Sequence, residues 1–222
     1  MTDGLLAHPQ AAGEGYLRVL GTPWGAMATA EPHWRFDKTF ARITGPSPAQ
    51  GQHTEEILDE LVGVSSPMAS LGDQDKEREL PTLALEGLRV LDLSQGVSGP
   101  ICAMQLGDLG AEVIKVEPPE GDWIREVGPF QKAESSIYLQ LNRNKRGIVI
   151  DLKAAEGKAI LEQLLEDADI LIEGYRPEVM SQLGFGYSEV AERHPQLIYC
   201  SISGQGSTGP LCEVPASELD VQ

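Results

Sequence analysis

Positive charge is in short supply in this 222-residue chain, where 17 Lys and Arg face 34 Asp and Glu and the formal net charge is -17. A surface of that sign repels polyanions at long range, which argues against a general nucleic-acid binder or an anionic-membrane protein. Any anionic ligand needs a local cationic pocket. Cysteine is scarcer still: Cys102, Cys200 and Cys212 are an odd number without metal-ligand spacing, and no metal site is expected. No apolar run approaches the ~20 residues of a membrane span, and the N-terminus has no signal-peptide pattern. Together these point to a reducing, cytoplasmic setting. His8, His33, His53 and His194 have no spacing that suggests a metal or a triad. What remains, 41% apolar and 23% charged residues, is the composition of a globular domain or parts of two.

The chain changes character along its length. Residues 1–63 are loop-rich with two short helical signals, and "TPWGAMATAEPHWRFDKTFARITGPSPAQGQ" reads as extended surface chain. "HTEEILDELVG" reads as a helix with Thr54 as N-cap, Glu55 and Glu56 at its positive end, and Ile57, Leu58, Leu61 and Val62 on one apolar face. Residues 64–84 mix small, charged and Pro residues without period, as a linker does. From residue 85 to 222, short apolar strands ("LRVLDL", "AEVIKVE", "RGIVIDL", "DILIE", "LIYCSIS") alternate with helical patterns. That alternation predicts an α/β fold, a doubly wound and mostly parallel sheet of Rossmann-like form covered on both faces.

The stretch "LDLSQGVSGPICAMQLGDLGAEVIKVE", residues 91–117, is a strand, a tight turn, a helix and a second strand. Ligands of such sheets lie beyond the carboxyl ends of the strands, where helix N-termini offer free N–H groups to anions. The glycines fit neither G-x-G-x-x-G nor G-x-x-x-x-G-K-[ST], so an ordinary tight turn accounts for them equally well. Lys115, Arg125, Arg143, Lys145, Arg146, Lys153 and Arg176 gather around this unit. On pattern alone they read as solvated surface charges paired with the many carboxylates. Gln95, Asn142 and Tyr175 fall in the neighbouring loops, and Glu218 and Asp220 follow a Gly-rich loop. Carboxylates in that position serve acid-base or nucleophilic chemistry in some enzymes and merely solvate a helix start in most proteins.

Taken together, "DLGAEVIKVE", "NRNKRGIVIDLK" and "LGFGYSEVAERHPQLIYCSISGQGSTGP" resemble the N-terminal half of class III CoA-transferases, the family of formyl-CoA and carnitine CoA-transferases and of 2-methylacyl-CoA racemases. The resemblance covers about residues 85–222. It implies that coenzyme A or an acyl-CoA is the substrate, with no tightly bound cofactor, and that a carboxylic acid is the acceptor. It further implies three contacts with CoA: Gln95, Gly96 and Val97; Ile150, Asp151, Leu152 and Lys153; and Gly174, Tyr175 and Arg176. Residues 1–63 resemble the C-terminal tail of the same family, so the chain reads as the junction of two units in tandem. The family's nucleophilic aspartate, in an L-x-D-x-x-x-G segment, forms an aspartyl-CoA thioester and is expected to be absent here. Glu218 matches an acidic active-site position, and the lack of a His beside it argues against the racemase branch. An interlocked homodimer is the expected assembly, and a non-catalytic CoA-binding or dimerisation module is the competing reading.

Overall fold

In the computed structural model, residues 8–63 except 33 and 35, residues 83–212, and residue 214 are described. In chain order the elements are α1 (Pro9–Gly13), β1 (Leu17–Thr22), β2 (Gly25–Ala30), α2 (Thr54–Leu61), β3 (Arg89–Asp92), α3 (Ser98–Asp108) and β4 (Glu112–Glu117). There follow β5 (Phe130–Gln131), β6 (Glu134–Ser135), α4 (Ser136–Leu141), β7 (Lys145–Val149), α5 (Ala155–Glu166), β8 (Ile170–Glu173), α6 (Val179–Leu183), α7 (Tyr187–Arg193) and β9 (Ile198–Ser201). Strands β7, β4, β3, β8 and β9 lie side by side in that order, all parallel.

Neighbouring residues on the central strands serve opposite faces, which is why the strands are apolar almost throughout. Val90, Val113 and Ile172 pack with Ala103 of α3 on one face. Leu91, Ile114 and Leu171 pack with Leu161, Leu164 and Leu165 of α5 on the other. The doubly wound α/β sheet expected from the alternation is therefore present. No helix among the described residues is long and apolar enough to cross a membrane.

The N-terminal segment is less extended than its Pro and Gly content suggests. β1 and β2 form an antiparallel hairpin, Leu17 opposite Ala30 and Thr22 opposite Gly25. Its signal was the Pro-Trp-Gly turn between alternating strands: Thr22 Oγ1 accepts from Trp24 N and donates to the Gly25 carbonyl, while Gly25 takes a positive φ of 116°. Helix α2 has His53 at its cap, not Thr54. The Thr54 hydroxyl instead accepts from the N–H of Val149, because the outer side of β7 needs partners.

This segment docks along β7 through side chains far away in sequence. Asn144 Oδ1 accepts from the N–H groups of Thr44 and Gly45, and its amide donates to the Arg42 carbonyl and to Asp108. His53 Nδ1 accepts from Gly147 N–H, and His53 N–H donates to the Gly147 carbonyl. Burial holds the His53 imidazole below its ordinary pKa, consistent with an acceptor nitrogen. Ile57 joins the main core. The expected linker lies largely outside the described residues, but Leu83, near its end, is buried and bridges Phe40.

Candidate functional site

The site begins at the carboxyl end of β3, where the chain turns into α3. Asp92 accepts from both the N–H and the hydroxyl of Ser94. Lys115, on β4, reaches across to the Ser94 carbonyl at 2.6 Å and to Asp122 at 2.8 Å. Asp122 in turn accepts from Gly96 N–H at 3.0 Å and from Ile124 N–H at 3.1 Å. Gly96 adopts φ of 79°, and a Cβ there would lie 2.6 Å from the Trp123 ring, so the turn admits no side chain.

Deeper in, Lys145 donates to Asp92, Asn142 Oδ1 and the Pro100 carbonyl at 2.8, 2.8 and 2.9 Å. Pro100 is the third residue of α3, and its carbonyl pins the helix start to β7. Glu117 receives Arg125 through two bonds of 2.8 Å, and Arg125 also bonds Glu134 and lies 3.5 Å over the Tyr138 ring.

Lys115, Lys145, Asp92 and Asp122 are all buried. Burial alone would raise the Asp92 carboxyl, but Lys145 and Lys115 outweigh it and hold it below its ordinary range. Glu117 is lowered likewise by Arg125 and Lys115 against its burial. Lys115 stays above its ordinary value because Asp92 and Asp122 overcome its burial. Burial, joined by the charge of Lys115, brings Lys145 down to about 8 against the pull of Asp92.

These pairings correct the expectation of solvated cations. Lys115, Arg143 and Lys145 are paired with carboxylates as expected, but inside the protein. Arg143 grips Asp108 through Nε at 3.1 Å and Nη2 at 2.7 Å, and adds the Thr29 hydroxyl and Ala30 carbonyl. Arg146 binds Glu56, Glu60 and Glu112. Only two of the seven cations, Lys153 and Arg176, have no ion pair among the described residues, and both are exposed.

Lys153 and Arg176 stand over two cavities that share Tyr175. The first, about 260 Å³, is lined by Gln95, Ile150, Asp151, Leu152, Lys153 and Tyr175, with Val116, Pro118, Pro119 and Glu120 closing it. The second, about 230 Å³, takes Gly174, Tyr175, Arg176 and the loop after β9 up to Cys212 and Val214. Each is below the roughly 300–1,000 Å³ common for small-molecule sites. A heterocycle or short chain fits one, and a long ligand would span both.

The three segments named from sequence thus converge at the carboxyl ends of β3, β7 and β8. Gly96 and Val97 are exceptions, lining neither cavity: Gly96 is buried under Trp123 and Val97 packs beside the cluster of Tyr138 and Ile124. Tyr175 is half-buried, and burial raises its hydroxyl pKa while Gln95, its hydrogen-bond partner, opposes. Glu218 lies outside the described residues. The Pro118–Glu120 wall was not anticipated; its signal is its place directly after β4, the strand beside β3. No group of three or more metal-ligating side chains occurs among the described residues.

The profile of CoA-transferase family III matches residues 85–222. The chain belongs to that family. Over 131 residues it is 47% identical to the human succinyl-CoA:glutarate CoA-transferase, covering 58% of this chain and 30% of that protein. It is 44% identical over 143 residues to the acetyl-CoA:oxalate CoA-transferase of Acetobacter aceti, covering 64% and 37%. Among solved structures, a CAIB/BAIF family protein from Brucella suis superposes with a TM-score of 0.59 at 37% identity, over 62% of this chain and 38% of that one. The chain spans about a third of the length of these relatives.

Proposed function

We propose that residues 85–222 are the CoA-binding part of a CoA-transferase that moves CoA between carboxylic acids. The observation that carries this reading is the pair of cavities at the strand ends, rimmed by Lys153 and Arg176, two exposed cations that have no carboxylate partner among the described residues. In an acidic protein, a phosphorylated ligand is attracted only where positive charge is left over. Tyr175, between the cavities, is placed to stack on a base, and Lys153 to meet a phosphate. Coenzyme A combines a base, phosphates and a long thiol arm, which suits two joined pockets better than either alone.

In the parent reaction an aspartate takes the acyl group and then CoA as a thioester, dividing one difficult transfer into easier steps. Residues 1–222 contain no L-x-D-x-x-x-G segment. Glu218 is the acidic group that the resemblance assigns to the active site. Residues 1–63 as the tail of a preceding unit, joined at 64–84 to the next, and an interlocked cytoplasmic homodimer complete the proposal.

Calorimetric titration of the 222-residue polypeptide with free CoA tests it. Saturable binding is expected, without CoA transfer between carboxylates. Tyr175→Ala and Lys153→Ala each weaken binding roughly tenfold. Absence of binding, or two variants that bind as the parent does, would overturn the assignment.

A further inference from the structure

Cys102 and Cys200 are separated by 98 positions in sequence, and the fold sets them side by side. Cys200 is the register partner of Ile172 in the adjacent parallel strand, so the two side chains share a face of the sheet. That is the face on which α3 lies, and Cys102 of α3 and Cys200 of β9 both pack against the cluster of Val90, Ala103 and Ile172. Both thiols are free and partly exposed. Burial, and next the neighbouring Cys200, push the Cys102 thiol up.

We propose that Cys102 and Cys200 are a reversible dithiol–disulfide pair linking α3 to the edge strand β9. The oxidant is a two-electron thiol oxidant of the diamide class. One thiolate adds to the N=N bond of diamide, forming an S–N bond. The second thiolate attacks that sulfur, the S–S bond forms as the S–N bond breaks, and the reduced hydrazine departs with the two protons the thiols gave up. Excess dithiothreitol reverses the change by exchange.

The link would matter to the helix that carries the candidate site's first turn. Cys102 lies in the second turn of α3, two residues after Pro100, whose carbonyl is held by Lys145. One end of α3 is thus fixed to β7 by the buried ammonium, and the disulfide fixes it also to the opposite flank. A thiol kept protonated by its surroundings reacts slowly with weak oxidants. The reduced pair is accordingly the resting form.

The test treats the whole chain with diamide, followed by intact mass, alkylation of remaining thiols and peptide mapping. The expected result is loss of the mass of two hydrogens, a Cys102–Cys200 linked peptide, and recovery of both thiols on reduction. Cys212→Ser should behave identically, and Cys200→Ser should leave Cys102 without an intrachain partner. The proposal fails if Cys102 and Cys200 both remain open to alkylation after diamide, if either pairs with Cys212 instead, or if the only links formed join two chains.

Discussion

At one flank of the sheet, the outer polar groups of β7 are taken up by residues 44–54: Gly147 exchanges two bonds with His53, Val149 donates to Thr54, and Asn144 donates to the Gly45 carbonyl. At the other flank β9 pairs only with β8 among the described strands, and Ile198 is 62% exposed. Both flanks belong to one parallel sheet with the same backbone requirements. They differ in what supplies the outer partners. β7 is finished by a chain segment that precedes the sheet by dozens of residues, held by charged and amide side chains instead of a sixth strand. A parallel edge can therefore be closed without strand pairing, provided buried polar groups fix the covering segment in place.

Breaking the closed flank should have the largest effect. Asp108→Ala leaves the Arg143 guanidinium buried without its carboxylate and removes an acceptor from Asn144. A loss of about 3–5 kcal/mol in unfolding free energy is expected from urea titration. A loss below about 1 kcal/mol would show that the N-terminal segment docks independently of this pair.

Acid sharpens the comparison, because two of the three depressed carboxylates among the described residues, Asp92 and Glu117, lie on the central strand β3 and on β4 beside β7, while the third, Glu162 of α5, is held down against its burial by Arg193 and His194. Their native pKa values are below those of the unfolded chain. The stabilisation is thus fully present above the ordinary carboxylate range near ~4 and is lost as pH falls through it toward the native values, where the unfolded chain holds more protons. Thermal unfolding between neutral and acid pH should show Tm falling mainly in that interval. A Tm that does not change across it would mean that these carboxylates titrate alike in both states.

The smallest effect is expected at the open flank. Ile198→Lys places a charge where the side chain already meets solvent, so stability should move by no more than about 0.5 kcal/mol. The same denaturant titration measures it, and a loss comparable with that of Asp108→Ala would show that β9 is covered after all.

The segments that made the family legible in sequence do not, for the most part, form the cavities. In "DLGAEVIKVE" and "NRNKR", Asp108 with Arg143 and Asn144, Lys115 with Asp122, Lys145 with Asp92, and Glu117 with Arg125 are a buried scaffold. Such residues leave a sharp signal because each needs a specific partner once water is excluded. The cavity walls, Tyr175, Leu152 and Pro118, leave a weaker one, since many apolar or aromatic side chains would serve.

The sequence by itself determined the alternation of strands and helices, the two-faced apolar core and the segments that meet at the strand ends. The first two follow from local periodicity, which the backbone imposes at short range, and the third was named by the resemblance to a known family. Tertiary structure alone decided which cations remain available, where residues 8–63 settle, and that Cys102 meets Cys200. Each depends on contacts between residues far apart in the chain, and charge pairing and burial are settled only when those residues arrive at the same place.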